Sequence, residues 1–179
     1  SVKICNISRK VMDSGDKSGL DYDGISKDQV KWYEKTINTL KAEKSDIKNL
    51  VFMHVPIPEY NTFYDKWKSG DENYILSMGA KSERTCSGKQ NGLYEKMKEL
   101  GSTKWVFCGH DHTNNFVITE KSTNITLSYG MSMDYSAYPF LRFKTEQRGD
   151  NVILINNVGE VSIKHATQDN RYNKEIKKN

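Results

Sequence analysis

The chain has 179 residues, of which 36% are hydrophobic and 28% are charged, and its formal net charge at pH 7 is +4. This length and apolar content suffice for one domain with a hydrophobic core, whereas the lack of any run of 18 apolar residues excludes a transmembrane helix. The lysines are scattered and form no basic patch interleaved with aromatic residues, so we predict neither a nucleic-acid nor a membrane partner.

The first predicted elements are a loop, a helix and a buried strand. Residues 13–24 are rich in glycine and aspartate and are typical of a loop, and residues 9–12 before them are typical of a short strand. Ser26 and Gln29 form the pattern of a capping box, which predicts a helix of about 19 residues. Residues 50–55 are almost wholly apolar, as in strands that are covered on both faces of a parallel sheet.

A long connection leads to the second buried strand. Residues 59–89 are rich in Tyr, Lys, Ser and Gly and exceed the length of ordinary connectors, so we predict a long insert loop that acts as a lid or flap. A helix is expected over residues 90–100, with Gly101 placed to end it. Residues 104–108 form the next apolar run. Strand, helix and strand make a crossover unit, so the two apolar strands should run parallel and end at the same edge.

The rest of the chain is predicted to be mainly antiparallel. Strands are expected at residues 116–120, 125–129, 152–156 and 160–164, and the last two should be joined by a tight turn near Gly159. Residues 165–179 are predicted to be a tail. Residues 1–179 are therefore interpreted as a single domain or part of one.

Three of the four histidines directly follow the two apolar strands. His54 follows the first, and His110 and His112 follow the second in the sequence Gly-His-Asp-His. In an extended backbone, residues i and i+2 project to the same face about 6.5 Å apart, so His110 and His112 should reach one cavity. Asp111 should point away as a turn or capping carboxylate, and the alternative is that it orients a histidine. Carboxyl ends of parallel strands are the usual ligand edge. The three histidines therefore predict a metal site.

Several stretches of the sequence resemble a known family of enzymes. They are residues 52–60, 86–93 and 107–112, and more weakly 12–16 and 128–130. Together they resemble the carboxyl-terminal half of a calcineurin-like metallophosphoesterase, in particular the branch related to purple acid phosphatases. The resemblance covers roughly residues 11–160 by the order of these motifs, and Gly-His-x-His is the last metal motif of that family.

The resemblance implies both a fold and a function. The fold would be α/β, as the carboxyl-terminal half of a four-layer αββα sandwich with mixed sheets. The function would be that of a metal-dependent phosphoesterase with two divalent ions, Fe, Mn or Zn, acting on a phosphoester substrate. By position, His54 and His110 would bind one ion and His112 the other, and the ions would stabilise the charge of the phosphoryl group. No catalytic acid or base is assigned.

Three motifs of this family are absent from the sequence, namely Asp-x-His, Gly-Asp-x-x-Asp and Gly-Asn-His. The second of them supplies the carboxylate that bridges the metals, and two dications beside three neutral imidazoles would lack opposing charge. We therefore expect this chain to carry one half of the site, with the missing amino-terminal half or another chain supplying the carboxylates. Half of a sandwich should also expose the inner face of its sheet.

Two other interpretations remain open at this point. A non-catalytic phosphatase-like module would keep the scaffold and bind a partner protein or a single Zn²⁺ through the same histidines. A one-metal hydrolase complete in this chain would need a general base, for which Glu59 is the nearby candidate.

Further expectations concern other residues near the histidines and in the predicted tail. Tyr60, Asn61 and Asn114 follow the histidines and are candidates for substrate contact, with packing as the alternative for the tyrosine. His165 is expected at the surface, and Cys108 is expected to be a small buried hydrophobic residue.

Overall fold

A computed structural model describes residues 3–6, 25–89, 92–133, 148–168 and 174–178. In chain order the elements are β1 (Lys3–Asn6), α1 (Lys27–Glu43), β2 (Asn49–Phe52), α2 (Glu59–Lys68), β3 (Tyr74–Met78), α3 (Leu93–Leu100), β4 (Thr103–Cys108), β5 (Val117–Glu120), β6 (Ile125–Tyr129), β7 (Gly149–Ile155), β8 (Val161–Thr167) and β9 (Lys174–Lys178). The predicted strand at 9–12 and loop at 13–24 lie outside the described residues. No helix in the described ranges is long and apolar enough to cross a membrane.

Six strands form a mixed sheet in the order β1-β2-β4-β6-β5-β3. The first four are parallel neighbours, while β5 pairs antiparallel with both β6 and β3. Val51 of β2 lies opposite Val106 of β4, and both side chains are fully buried. This confirms the predicted parallel crossover, and the apolar sequences of the two strands follow from coverage on both faces of the sheet.

Helices α1, α2 and α3 pack against one face of this sheet. Helix α1 begins at the predicted capping box, in which Gln29 N donates to Ser26 Oγ at 3.2 Å and Ser26 N donates to Gln29 Oε1 at 2.8 Å. Tyr33, on the inner face of α1, has no exposed surface. Helix α3 ends at Gly101, whose φ of +68° is the left-handed conformation that glycine adopts most readily.

A second, antiparallel sheet in the order β7-β8-β9 covers the opposite face. Leu50, Trp105 and Phe107 of the large sheet are at most 6% exposed and form a core cluster with Val161 and Ile163 of β8. The described residues thus form three layers, helices, mixed sheet and antiparallel sheet. The fold is α/β, as expected for the carboxyl-terminal half of a phosphoesterase sandwich. The expectation that the inner face lies open is wrong at these central positions, because the chain supplies its own covering strands.

Residues 59–89, predicted to be a long insert loop, contain helix α2 and strand β3. Tyr60 and Phe63 lie one helical turn apart in α2 and are both buried in the core beneath it. Strand β3 pairs with β5, and a register shift between Leu76 and Met78 turns these two side chains toward different core clusters.

Two further differences concern the carboxyl-terminal third. Residues 165–179, predicted to be a tail, contain the end of β8 and strand β9, which pairs along β8 from Val161 to His165. The four predicted antiparallel strands divide between the two sheets, with β5 and β6 in the mixed sheet and β7 and β8 in the other. Strand β6 is buried at every residue and lies parallel to β4, which apolar periodicity alone does not reveal.

Candidate metal centre

His54 and His110 meet at the carboxyl edge of β2 and β4. Backbone hydrogen bonding continues beyond the two strands, from Met53 N to Phe107 O at 2.9 Å and from Gly109 N to His54 O at 3.0 Å. The imidazole rings of His54 and His110 consequently lie 5.3 Å apart between centroids, at an interplanar angle of 81°. Two rings at this separation are close enough to contact one ion, and their role as ligands stays a prediction.

The sequence Gly-His-Asp-His forms a turn and does not continue strand β4. The strand ends at Cys108. His110 has a φ of +78°, in the left-handed region that residues other than glycine rarely adopt. The extended geometry predicted for His110 and His112 is therefore wrong. The two rings are still electrostatic neighbours, because His112 contributes to lowering the pKa of His110.

Several groups act on the pKa of His110, and the net effect lowers it. Burial has the largest effect and lowers the pKa, Asp111 raises it, and the neighbouring His54 and His112 lower it further. The shift favours the neutral imidazole, which retains a lone pair on one ring nitrogen. This is the form of histidine that binds metal ions.

Asp111 lies between the two histidines of the turn, and its carboxylate is buried. The residue is 4% exposed. Its Oδ2 accepts a hydrogen bond from Tyr129 Oη at 2.6 Å and one from Cys86 N at 3.1 Å, and Cys86 N also lies 3.2 Å from Oδ1. A turn or capping carboxylate would bond to neighbouring residues, whereas these bonds join Asp111 to strand β6 and to residue 86, both distant in the sequence.

Residues 80–88, which we call the rim segment, run along the same edge and are tied to both histidine-bearing turns. Asn114 Oδ1 accepts from the backbone nitrogens of residues 82 and 83 at 2.9 and 3.1 Å, and Glu83 Oε1 accepts from Thr113 N at 2.7 Å. At its far end Gly88 N donates to Pro56 O at 3.3 Å. Hydrogen bonds therefore hold the rim segment against the turn that carries His110 and His112 and against the residues that follow His54.

Gly79 precedes the rim segment and fixes how closely it approaches the turn. Its φ is +76°, and a Cβ at this position would lie 2.1 Å from the backbone oxygen of Asn115. Asn115 Oδ1 in turn accepts from Ala80 N at 2.8 Å. The close approach requires glycine. No local sequence pattern indicates this contact, because Gly79 and Asn115 are distant in the sequence.

Several secondary expectations are corrected by burial. Tyr60 is fully buried and donates to Val106 O at 2.8 Å, so packing, the alternative considered for it, is its role. Asn114 has no exposed surface and holds the rim segment, which makes substrate contact wrong for it. His165 is 2% exposed in β8, so its predicted surface position is also wrong. Glu59 is 7% exposed, a poor position for a base that must reach a water or substrate.

The nitrogen donors fit part of a metal site. Imidazole is a suitable ligand for Zn and Fe, and the rings of His54 and His110 lie 5.3 Å apart between centroids. Among the residues described, however, no group of three or more His, Cys, Asp or Glu side chains is arranged to hold an ion. Two nearby carboxylates, those of Glu83 and Asp111, accept hydrogen bonds from the protein backbone. The fit is therefore that of a partial ligand set.

Curated relatives identify the family. The chain is 34% identical over 133 residues to "Probable inactive purple acid phosphatase 14" of Arabidopsis thaliana, which covers 69% of this chain. It is 32% identical over 140 residues to "Probable inactive purple acid phosphatase 29" of the same plant, covering 71%. The chain belongs to the purple acid phosphatase-like, calcineurin-like phosphoesterase family. "Phosphatase DCR2" of Saccharomyces cerevisiae is 31% identical over 111 residues, covering 61% of this chain.

The matched region is a small part of these purple acid phosphatase-like proteins. The alignments cover 30% and 33% of the two plant proteins and 19% of the yeast protein, so the chain spans at most about a third of their length. No protein-family model matches the chain, and no solved structure matches it.

Cys86 offers a test of the rim segment. Burial, followed by the charge of Asp111, raises the pKa of the Cys86 thiol to about 11. Because the thiolate is the reactive form, alkylation of Cys86 by iodoacetamide should be slow at neutral pH and rise about tenfold per pH unit up to that pKa. Mass spectrometry of the folded protein measures the rate.

Cys108 is the internal control for this measurement. It is 5% exposed, as predicted for a small buried hydrophobic residue, and burial raises its pKa well above the ordinary value. It should stay unmodified over the same pH range in the folded protein. A rate for Cys86 that levels off below the ordinary thiol pKa of 9.0 would contradict the described environment.

Proposed function

We propose that this chain supplies three histidine ligands to the two-metal site of a phosphoesterase. His54 and His110 would bind one ion and His112 the other. The observation that carries the proposal is the 5.3 Å separation of the His54 and His110 rings at the carboxyl edge of two parallel strands. Membership of a phosphatase-like family supports phosphoester hydrolysis as the reaction.

In this site the protein's own residues would orient the ligands and shape the substrate cavity. Strands β2 and β4 bring His54 and His110 to a common edge, and burial favours the neutral, metal-binding form of His110. The rim segment would form one wall of the cavity through its bonds to the histidine turn. Two divalent ions, when bound, supply Lewis acidity toward the phosphoryl oxygens and compensate their negative charge.

The proposed site draws its carboxylate ligands from outside this sequence. Two cations need anionic ligands to compensate their charge, and both Asp111 and Glu83 are engaged in hydrogen bonds to the backbone. The relatives extend well beyond the matched region. We therefore propose that another segment of the protein, or a partner chain, contributes these carboxylates.

A second candidate is a phosphatase-like module without catalysis. Both plant relatives are named as probable inactive purple acid phosphatases. In this case the histidine cluster would bind a single Zn²⁺ or lie beneath a partner protein, and the scaffold would be kept for binding.

Metal content and turnover of the full-length protein that contains this sequence separate the two functions. We expect about two ions per molecule by mass spectrometry, together with hydrolysis of p-nitrophenyl phosphate that stops on chelation and returns with Zn²⁺, Fe²⁺ or Mn²⁺. Bound metal without hydrolysis would favour the module. A protein that binds no metal and hydrolyses nothing would overturn the metallophosphoesterase proposal.

A further inference from the structure

The side chain between the two turn histidines faces the protein interior. Asp111 is 4% exposed, and its carboxylate accepts hydrogen bonds from Tyr129 Oη and Cys86 N. A buried carboxylate is costly unless several donors satisfy it, and donors from two different segments meet it here. One acidic side chain therefore joins the histidine turn to strand β6 and to the rim segment.

The partner of Asp111 in β6 is itself held firmly. Tyr129 has no exposed surface, and its ring packs at centroid distances of 4.9 Å against both Tyr60 and Phe116. Immediately after it, Gly130 N donates to Cys108 O at 2.7 Å. The Tyr129 hydroxyl is thus a donor fixed by the core, so it defines where the Asp111 carboxylate lies.

The turn requires such an anchor because of its backbone conformation. His110 has a φ of +78°, and a residue other than glycine keeps a left-handed backbone conformation only where its surroundings enforce it. Gly109 N, bonded to His54 O at 3.0 Å, fixes the turn on one side of His110. The Asp111 carboxylate fixes it on the other side.

We propose that Asp111 is a positioning residue that aims His110 and His112 at the metals through its bonds to Tyr129 and Cys86. This inference rests on the proposed function, since it concerns the same site. Groups that hold metal ligands in orientation usually contribute about 10- to 100-fold to metal affinity. Neither histidine would keep its direction if the turn relaxed to an ordinary backbone conformation.

The chain contains a matched control for the tyrosine–carboxylate bond. Tyr94 is also buried and donates to Glu120 Oε2 at 2.6 Å, the same distance as that between Tyr129 and Asp111. Tyr94 lies in α3 and Glu120 at the end of β5, away from the histidine turn in the fold. Tyr94→Phe and Tyr129→Phe each remove one hydroxyl from a buried ring.

Zn²⁺ titration of the full-length protein tests the proposal. We expect Tyr129→Phe to weaken Zn²⁺ binding by about 10- to 100-fold and to change the visible spectrum of the Co²⁺-loaded protein. Tyr94→Phe should leave the spectrum unchanged and the affinity within about twofold, although both variants lower the melting temperature. A role in stability alone would move only the melting temperature.

A second variant covers the case in which Tyr129→Phe does not fold. Asp111→Asn keeps the size of the side chain but removes the charge, and should weaken Zn²⁺ binding by a similar factor. Wild-type affinity and an unchanged Co²⁺ spectrum in either folded variant would overturn the positioning role alone. A wild-type protein that binds no Zn²⁺ would overturn the proposed function, and the positioning role with it.

Discussion

Replacing His110 with asparagine should remove one metal ion and lower phosphoester turnover by at least about 100-fold, since loss of a direct ligand should cost no less than loss of a group that orients it. Asparagine tolerates the left-handed backbone better than most residues, so the turn with φ +78° can persist. Its amide is shorter than imidazole and is not expected to reach the same ion. Metal analysis and p-nitrophenyl phosphate hydrolysis by the full-length protein measure the two losses.

The companion variant is His54→Ala, because both residues are assigned to the same ion. The double variant should lose little more activity than either single variant, as is usual for groups that act as one unit. His165→Gln is the control, since this histidine lies in β8, outside the candidate site. Full metal content and turnover in both His54→Ala and His110→Asn would contradict the ligand assignment.

Replacing Trp105 with alanine should lower the free energy of unfolding by about 3–5 kcal/mol, the range for large aromatic residues in a core. Trp105 is 2% exposed, belongs to the cluster between the two sheets and stacks on Phe107 at a centroid distance of 5.9 Å. The substitution leaves a cavity at the contact between β4 and the antiparallel sheet. Urea unfolding followed by circular dichroism measures the loss.

Trp32→Ala is the matched control for this prediction. Its side chain lies on helix α1 and is 48% exposed, so the same truncation removes little buried surface. We expect a change within about 0.5 kcal/mol, as for most surface substitutions. Equal destabilisation by the two variants would mean that the contact between the sheets contributes less to the free energy of unfolding than the burial of Trp105 implies.

The sequence predicts the elements whose determinants are local. Ser26 and Gln29 lie three residues apart and form their capping box without any distant partner. The apolar runs of β2 and β4 likewise predict buried parallel strands. Parallel pairing places His54 and His110 at the same carboxyl edge of the sheet. This much of the site follows from strand direction alone.

The remaining features depend on contacts between distant residues. The bond from Tyr129 to Asp111 and those from residues 82 and 83 to Asn114 join separate segments, so no local pattern indicates them. The positive φ of His110 also depends on this environment. Strands β5 to β8 show the same limit, because their alternation predicts extended backbone without specifying which sheet they join.

The strand order also determines how the chain reaches its folded state. Glu120 pairs with Ile125 across a short turn, whereas Val51 of β2 pairs with Val106 of β4, which is far away in the sequence. Loop closure over such a separation is slow compared with hairpin formation, which takes microseconds. We expect the β5–β6 hairpin to form early and the edge that carries His54 and His110 to close late. A newly synthesised chain would therefore keep these two imidazoles apart until β2 and β4 have joined.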